Sequence, residues 1–173
     1  MAKGFLTVCL LCSVSCVHAL DLSGTVYEIA GREYDIDPSL LFSISRVESA
    51  TETGDGTISP YPWTLRSDKP FYGRTKKEAE KELARLLARG ISVDIGLMQV
   101  NSRWHGHRVT NPAELLDPLT NIRVGAQILS ERLKAHPHDA AKAVATYHSF
   151  DPDRGRWYAG KVFRVWAWLN KKD

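Results

Sequence analysis

Gly96-Leu97-Met98-Gln99-Val100-Asn101 is the stretch on which the reading of the fold turns. Glycine allows a close backbone approach. Gln99 and Asn101 alternate with Met98 and Val100, so an extended strand here sets two amides on one side. An amide donates and accepts at once, which suits sugar hydroxyl and N-acetyl groups, and Met98 adds an adaptable apolar surface. The same six residues also suit a buried turn whose amides are satisfied internally.

Upstream, Asp37-Pro38 is a helix start, with Asp as N-cap and Pro at the first helical position. The helix carries Leu40, Leu41, Ile44 and Val47 and runs to about Ala50. Glu48 stands four residues after Ile44 and seven after Leu41, so it continues the apolar stripe. A carboxyl there loses water, which disfavours its charge and raises its pKa; a general acid needs that near neutral pH. The plain alternative is a solvated glutamate in a last helical turn. Ser49 is either a polar helix end or a hydrogen-bonding neighbour of a substrate. Downstream, in Ala145-Thr146-Tyr147-His148-Ser149, the Tyr147 ring packs with core residues or lends its hydroxyl to a carboxyl.

The remaining pattern is mostly helical. Thr25 to Glu28 and Thr75 to Glu78 have capping-box form. The second opens a helix with Ala79, Leu83, Leu86 and Leu87, ended by Gly90. Asn111-Pro112 starts a short helix, Pro118 a longer one and Asp139 another; an aromatic-rich helix over 157–169 is last. Residues 51–67 read as a long loop and 91–101 as an extended or bent segment. The expected fold is one mainly α domain over 20–173, with a loop-and-helix excursion between Thr51 and Ile95.

At 173 residues, with 43% hydrophobic and 25% charged side chains, the chain fits one globular domain and excludes collagen-like, coiled-coil and wholly disordered classes. A formal charge of +3 is too weak to argue for nucleic acid, though it suits an anionic polymer. Residues 1–19 read as a secretory signal peptide: Lys3, an apolar run from Phe5 to Val17, then Val17-His18-Ala19 at a cleavage site. Cys9, Cys12 and Cys16 all lie inside it, so the exported chain is expected to hold no disulfide or thiolate site. No later run is long and apolar enough to span a bilayer.

Taken in order, Glu48-Ser49, Gly96-Leu97-Met98-Gln99, Leu116-Asp117-Pro118 with Asn121 to Ala126, and Ala145-Thr146-Tyr147-His148 resemble the soluble lytic transglycosylase family, which has a lysozyme-like fold. The resemblance spans about Val26 to Trp168. It implies cleavage of the β-1,4 bond between N-acetylmuramic acid and N-acetylglucosamine in peptidoglycan, without water and with a 1,6-anhydro product. It implies Glu48 as the catalytic acid and base, with Ser49, Met98, Gln99 and Asn101 on the sugar groove and Tyr147 near Glu48. His148 stands where the family has asparagine, retaining a hydrogen-bonding side chain but bringing a titratable one. No metal or cofactor is implied. The partner is the peptidoglycan glycan strand in the periplasm or cell envelope.

The long stretch between Ser49 and Gly96 resembles the branch that accompanies conjugation, pilus or secretion machines. Glu52, Asp55, Asp68 and Asp94 are candidates for a second carboxylate, each also readable as a solvated loop charge. Trp63, Phe71 and Tyr72 either extend a sugar-stacking wall or pack the excursion onto the core. Trp157, Tyr158, Phe163, Trp166 and Trp168 read as packing, with one ring in the groove. His105, His107, His136 and His138 read as solvated rather than metal-binding. A hydrolytic lysozyme of similar fold, or a non-catalytic glycan-binding assembly component, are the alternative functions.

Overall fold

Short capping residues decide where the helices begin. The computed structural model describes residues 20–171 apart from Thr53 and Asp55. The export segment, its cysteines and the candidate carboxylate Asp55 lie outside the described residues. Helix α1 (Val26–Tyr34) is capped by Thr25, whose hydroxyl accepts the Glu28 N–H. Asp37 caps α2 (Pro38–Ser49) and Thr75 caps α3 (Lys76–Ala88). The short α4 (Ser102–His105) is capped by Asn101, and 3-10 turns follow at Gly106–Arg108 and Pro112–Leu116. Asp117 caps α5 (Pro118–Ala135) and Asp139 caps α6 (Ala140–His148). Helix α7 (Pro152–Leu169) begins earlier than the aromatic spacing predicts, because Asp151-Pro152 repeats the Asp-Pro start of α2 and Asp151 accepts the Asp153 and Arg154 N–H groups.

The predicted loop over 51–67 contains three short strands instead. Strands β1 (Ala50–Glu52) and β2 (Ile58–Pro60) pair as an antiparallel hairpin directly after α2. Strands β3 (Thr64–Arg66), β4 (Pro70–Tyr72), β5 (Asp94–Ile95) and β6 (Val100–Asn101) form an antiparallel sheet in the order β4-β3-β5-β6. Its register sets Arg66 opposite Asp94 and Asp94 opposite Asn101.

The fold is mainly helical, with α2 packed on α7, α5 between α1 and α6, and α6 on α7. Leu41, Ile44, Leu65, Ile95, Met98 and Leu129 meet in a single buried core. The β5–β6 hairpin is tied to α5 by Asn121. Its Oδ1 accepts the Met98 N–H at 2.8 Å, and its Nδ2 donates to the Ile95 and Leu115 carbonyls, both at 2.8 Å. Two glycines allow this fit. A Cβ on Gly96 (φ +76°) would sit 2.4 Å from Asn121 Nδ2, and one on Gly125 would sit 2.7 Å from Met98 Cγ.

Candidate active site

Glu48 sits in the final turn of α2, and the stripe it continues carries it inward. Leu41 and Ile44 are fully buried and Glu48 is 7% exposed, which excludes the solvated alternative. It lines a groove of about 780 Å³ together with Asp94, Gln99, Asn101, Tyr147 and His148. His148 Nδ1 lies 3.6 Å from Glu48 Oε1. The imidazole is stacked on the Tyr158 ring, with centroids 4.3 Å apart and planes within 5°.

Two phenols, the buried Tyr158 and the partly buried Tyr147, flank the carboxyl. Tyr147 donates its hydroxyl to the Met98 carbonyl at 2.8 Å, so that hydroxyl is engaged by backbone rather than by a carboxylate. The Tyr158 hydroxyl closes no hydrogen bond among the described residues, and the acceptor it addresses is Glu48. Burial, and next the negative charge of Glu48, pushes both phenols well above their ordinary range. Both therefore stay neutral and protonated beside the carboxyl.

A second carboxyl shares the groove. Burial pushes Asp94 up against the hydrogen bond from Asn101 Nδ2, which is 2.7 Å long; the Glu48 charge adds to the push, and Arg66 and His148 oppose it. Asp94 is thus no solvated loop charge: β3 and β6 on either side take it out of water. Glu52 and Asp68 are exposed.

Gly96-Leu97-Met98-Gln99 forms a turn rather than an extended strand, and only Val100 and Asn101 are in β6. Gln99 holds a left-handed φ of 46°, uncommon for a residue with a side chain. Its Nε2 donates to the Gly96 carbonyl at 2.9 Å and the Thr64 carbonyl at 3.3 Å. Its Oε1 is buried without a partner among the described residues. A strained backbone and an unmet acceptor at one groove residue mark a position held for more than packing.

The model of the transglycosylase SLT domain matches residues 26–162, which include Glu48, the Gln99 turn and Tyr158. The chain belongs to this family. Its members are lytic transglycosylases acting on peptidoglycan, and the mainly α, lysozyme-like fold is the one observed. No curated protein matches the chain.

Within this SLT domain, not every residue expected on the groove faces it. Ser49 is buried behind the wall, where its hydroxyl donates to the Ser45 carbonyl at 3.0 Å. Met98 is fully buried beneath the turn, with the Ser45 hydroxyl on its sulfur at 3.2 Å. Asn101 reaches the groove but spends its Oδ1 capping α4, accepting the Arg103 and Trp104 N–H groups. Trp63 and Phe71 pack against the core rather than lining the groove.

The groove's aromatic surface comes from elsewhere. Trp104 is 71% exposed and Phe150 73%, with the Arg132 guanidinium 4.8 Å above the Phe150 ring. His105 also lines the groove, half-buried rather than solvated; burial, then Arg108 and Arg132, push it down and keep it neutral. Sequence reasoning missed Trp104 and Phe150, whereas Tyr158 packs inward as its spacing suggests. Trp104 left a signal: one large ring among Ser102, Arg103, His105 and His107.

Proposed function

We infer that this SLT domain cleaves the bond between N-acetylmuramic acid and N-acetylglucosamine by transglycosylation. Glu48 gives its proton to the bridging oxygen, the C1–O bond breaks, and positive charge develops at the muramyl C1. The C6 hydroxyl of the same sugar attacks C1, and the Glu48 carboxylate takes the proton that hydroxyl releases. The ring closes as a 1,6-anhydro end, and Glu48 is returned protonated. A nucleophile held in the same sugar reaches an effective concentration of about 10⁵ M or more, so one carboxyl serves both proton steps. The observation that carries this reading is a buried Glu48 in an open groove, ringed by two neutral phenols.

The other side chains have supporting places. Tyr158 and His148 hold the Glu48 carboxyl in line. Gln99 offers an unmet acceptor, and Trp104 and Phe150 offer faces for sugar rings. Ser49 and Met98 act from behind the wall by fixing the end of α2 and the turn, and Tyr147, on the groove, braces the turn through the Met98 carbonyl. The reading includes export of residues 20–173 to the envelope after loss of the leader. It also includes local wall opening for a conjugation, pilus or secretion apparatus, supported by the long insertion between Ser49 and Gly96. A non-catalytic role leaves the burial of Glu48 unexplained.

Asp94 favours one second reading. Two carboxyls in one groove are the equipment of a hydrolase, in which the second steadies C1 or positions water. Mass analysis of fragments released from purified sacculi separates the two. Anhydro ends, lighter by one water, support transglycosylation; reducing ends support hydrolysis.

A further inference from the structure

Helix α7 presents a second surface outside the groove. Arg154, Trp157, Lys161, Arg164 and Trp168 follow one another at alternate intervals of three and four residues and so share one side of the helix, with Lys171 just past its end. The stripe is about 21 Å long at the helical rise. Their aromatic spacing predicts packing for both tryptophans, but Trp157 is 62% exposed and Trp168 63%, because this side of α7 has no element packed on it. Lys161 Nζ lies 4.5 Å above the Trp157 ring. Arg46 of α2 joins Arg164 and Trp168 around a shallow depression, adding a further cation. Neither the stripe's three cations nor Lys171 has a carboxylate within ion-pair distance among the described residues, and the neighbouring Asp153 is taken by Arg156.

We propose that this stripe docks the enzyme on the anionic headgroups of a lipid membrane. Tryptophan rings left in water beside unpaired lysine and arginine form the combination that settles at a headgroup boundary, where the ring finds an apolar edge and the cation an anion. The shape agrees. A single helix makes a convex ridge, which fits a broad deformable plane, whereas a polymer chain is served by the concave groove around Glu48. Docking is peripheral, because no described helix is long and apolar enough to cross a membrane. Each cation brought to an anionic surface strengthens binding roughly fivefold.

The test is co-sedimentation of the chain from Leu20 onward, which holds the whole matched domain, with phosphatidylglycerol–phosphatidylethanolamine vesicles, phosphatidylcholine vesicles and purified sacculi. The expected result is binding to the anionic vesicles that salt weakens, with blue-shifted tryptophan emission and little binding to phosphatidylcholine. Lys161→Glu with Arg164→Glu, and separately Trp157→Ala with Trp168→Ala, should each weaken vesicle binding at least tenfold. Circular dichroism and cleavage of soluble glycan fragments should stay as in the parent. If the charge reversal disturbs folding, Lys161→Gln with Arg164→Gln gives the same reading. Equal binding to both lipids, or variants that bind like the parent, overturns the proposal. So does a stripe whose substitution weakens binding to sacculi while the parent ignores vesicles, which assigns it to an anionic wall polymer.

Discussion

Replacing Asn121 by leucine tests how the hairpin that bears Asp94 and Gln99 is held. The asparagine is 1% exposed and makes three hydrogen bonds of 2.8 Å: one from the Met98 N–H, one to the Ile95 carbonyl and one to the Leu115 carbonyl. Leucine fills similar space but strands one donor and two acceptors in a dry core. Each stranded group costs about 1–3 kcal/mol. Partial relaxation keeps the three from adding in full, so the expected loss is about 3–6 kcal/mol. That is a large share of a domain stability of about 5–15 kcal/mol, and it should lower Tm by roughly 10 °C or more. Urea unfolding followed by circular dichroism measures it directly, with an unchanged m-value as the check on two-state behaviour. Asn121→Asp sharpens the test. It keeps the acceptor for Met98 but turns an oxygen toward both carbonyls, so it should not recover the loss. A leucine variant within about 1 kcal/mol of the parent, or an aspartate variant as stable as the parent, refutes the argument.

Asp94 and Gly125 give further expectations. The Asp94 carboxyl titrates higher in the folded chain than in the unfolded one, so the native state holds the extra proton between the two values and stability falls as pH rises through that window. Asp94→Asn keeps an acceptor for Asn101 and removes the charge. Its melts should therefore be higher than the parent's near neutral pH and level with them below the ordinary aspartate value of about 3.9; a neutral-pH melt below the parent's contradicts this. Gly125→Ala gains about 1 kcal/mol of helix propensity. It also drives a Cβ to 2.7 Å from Met98 Cε and Cγ, an overpacking worth about 1–3 kcal/mol. A lowered Tm with slower turnover is expected, since Met98 holds the Tyr147 hydroxyl; a stabilised, fully active variant shows that Met98 yields freely.

Much of the helical frame was legible because caps act over three or four residues. Asp37-Pro38, Thr75 and Asp117-Pro118 announce their helices through side chains that accept the next N–H groups. Asp151-Pro152 has the same chemistry, but the aromatic run after Trp157 obscures it. The strands were not legible: two or three residues are too few to show alternation, and Leu65 pairs with Ile95 across thirty positions of chain. The Glu48 stripe could be read because it lies within one helix. The environment of Asp94 could not, because β3 and β6 create it; the turn at Gln99 stood as one of two readings of its stretch, but its left-handed backbone and unmet Oε1 left no sign in the sequence. On α7 aromatic rings occur around several sides, so spacing alone did not separate inward Tyr158 from outward Trp157 and Trp168. The residues behind the groove wall, Ser49 and Met98, sit within the right motifs while their side chains serve the fold.

Turnover of purified peptidoglycan by Glu48→Gln, beside the parent and with Tm measured on both, tests most directly whether one buried carboxyl carries the proton in both directions. Glutamine keeps the shape and the hydrogen-bonding reach of glutamate but cannot exchange the proton. The account predicts a fall of at least about 100-fold, the scale of general acid–base catalysis, with folding and wall binding retained. A variant that keeps its fold and still releases fragments within about tenfold of the parent rate contradicts it.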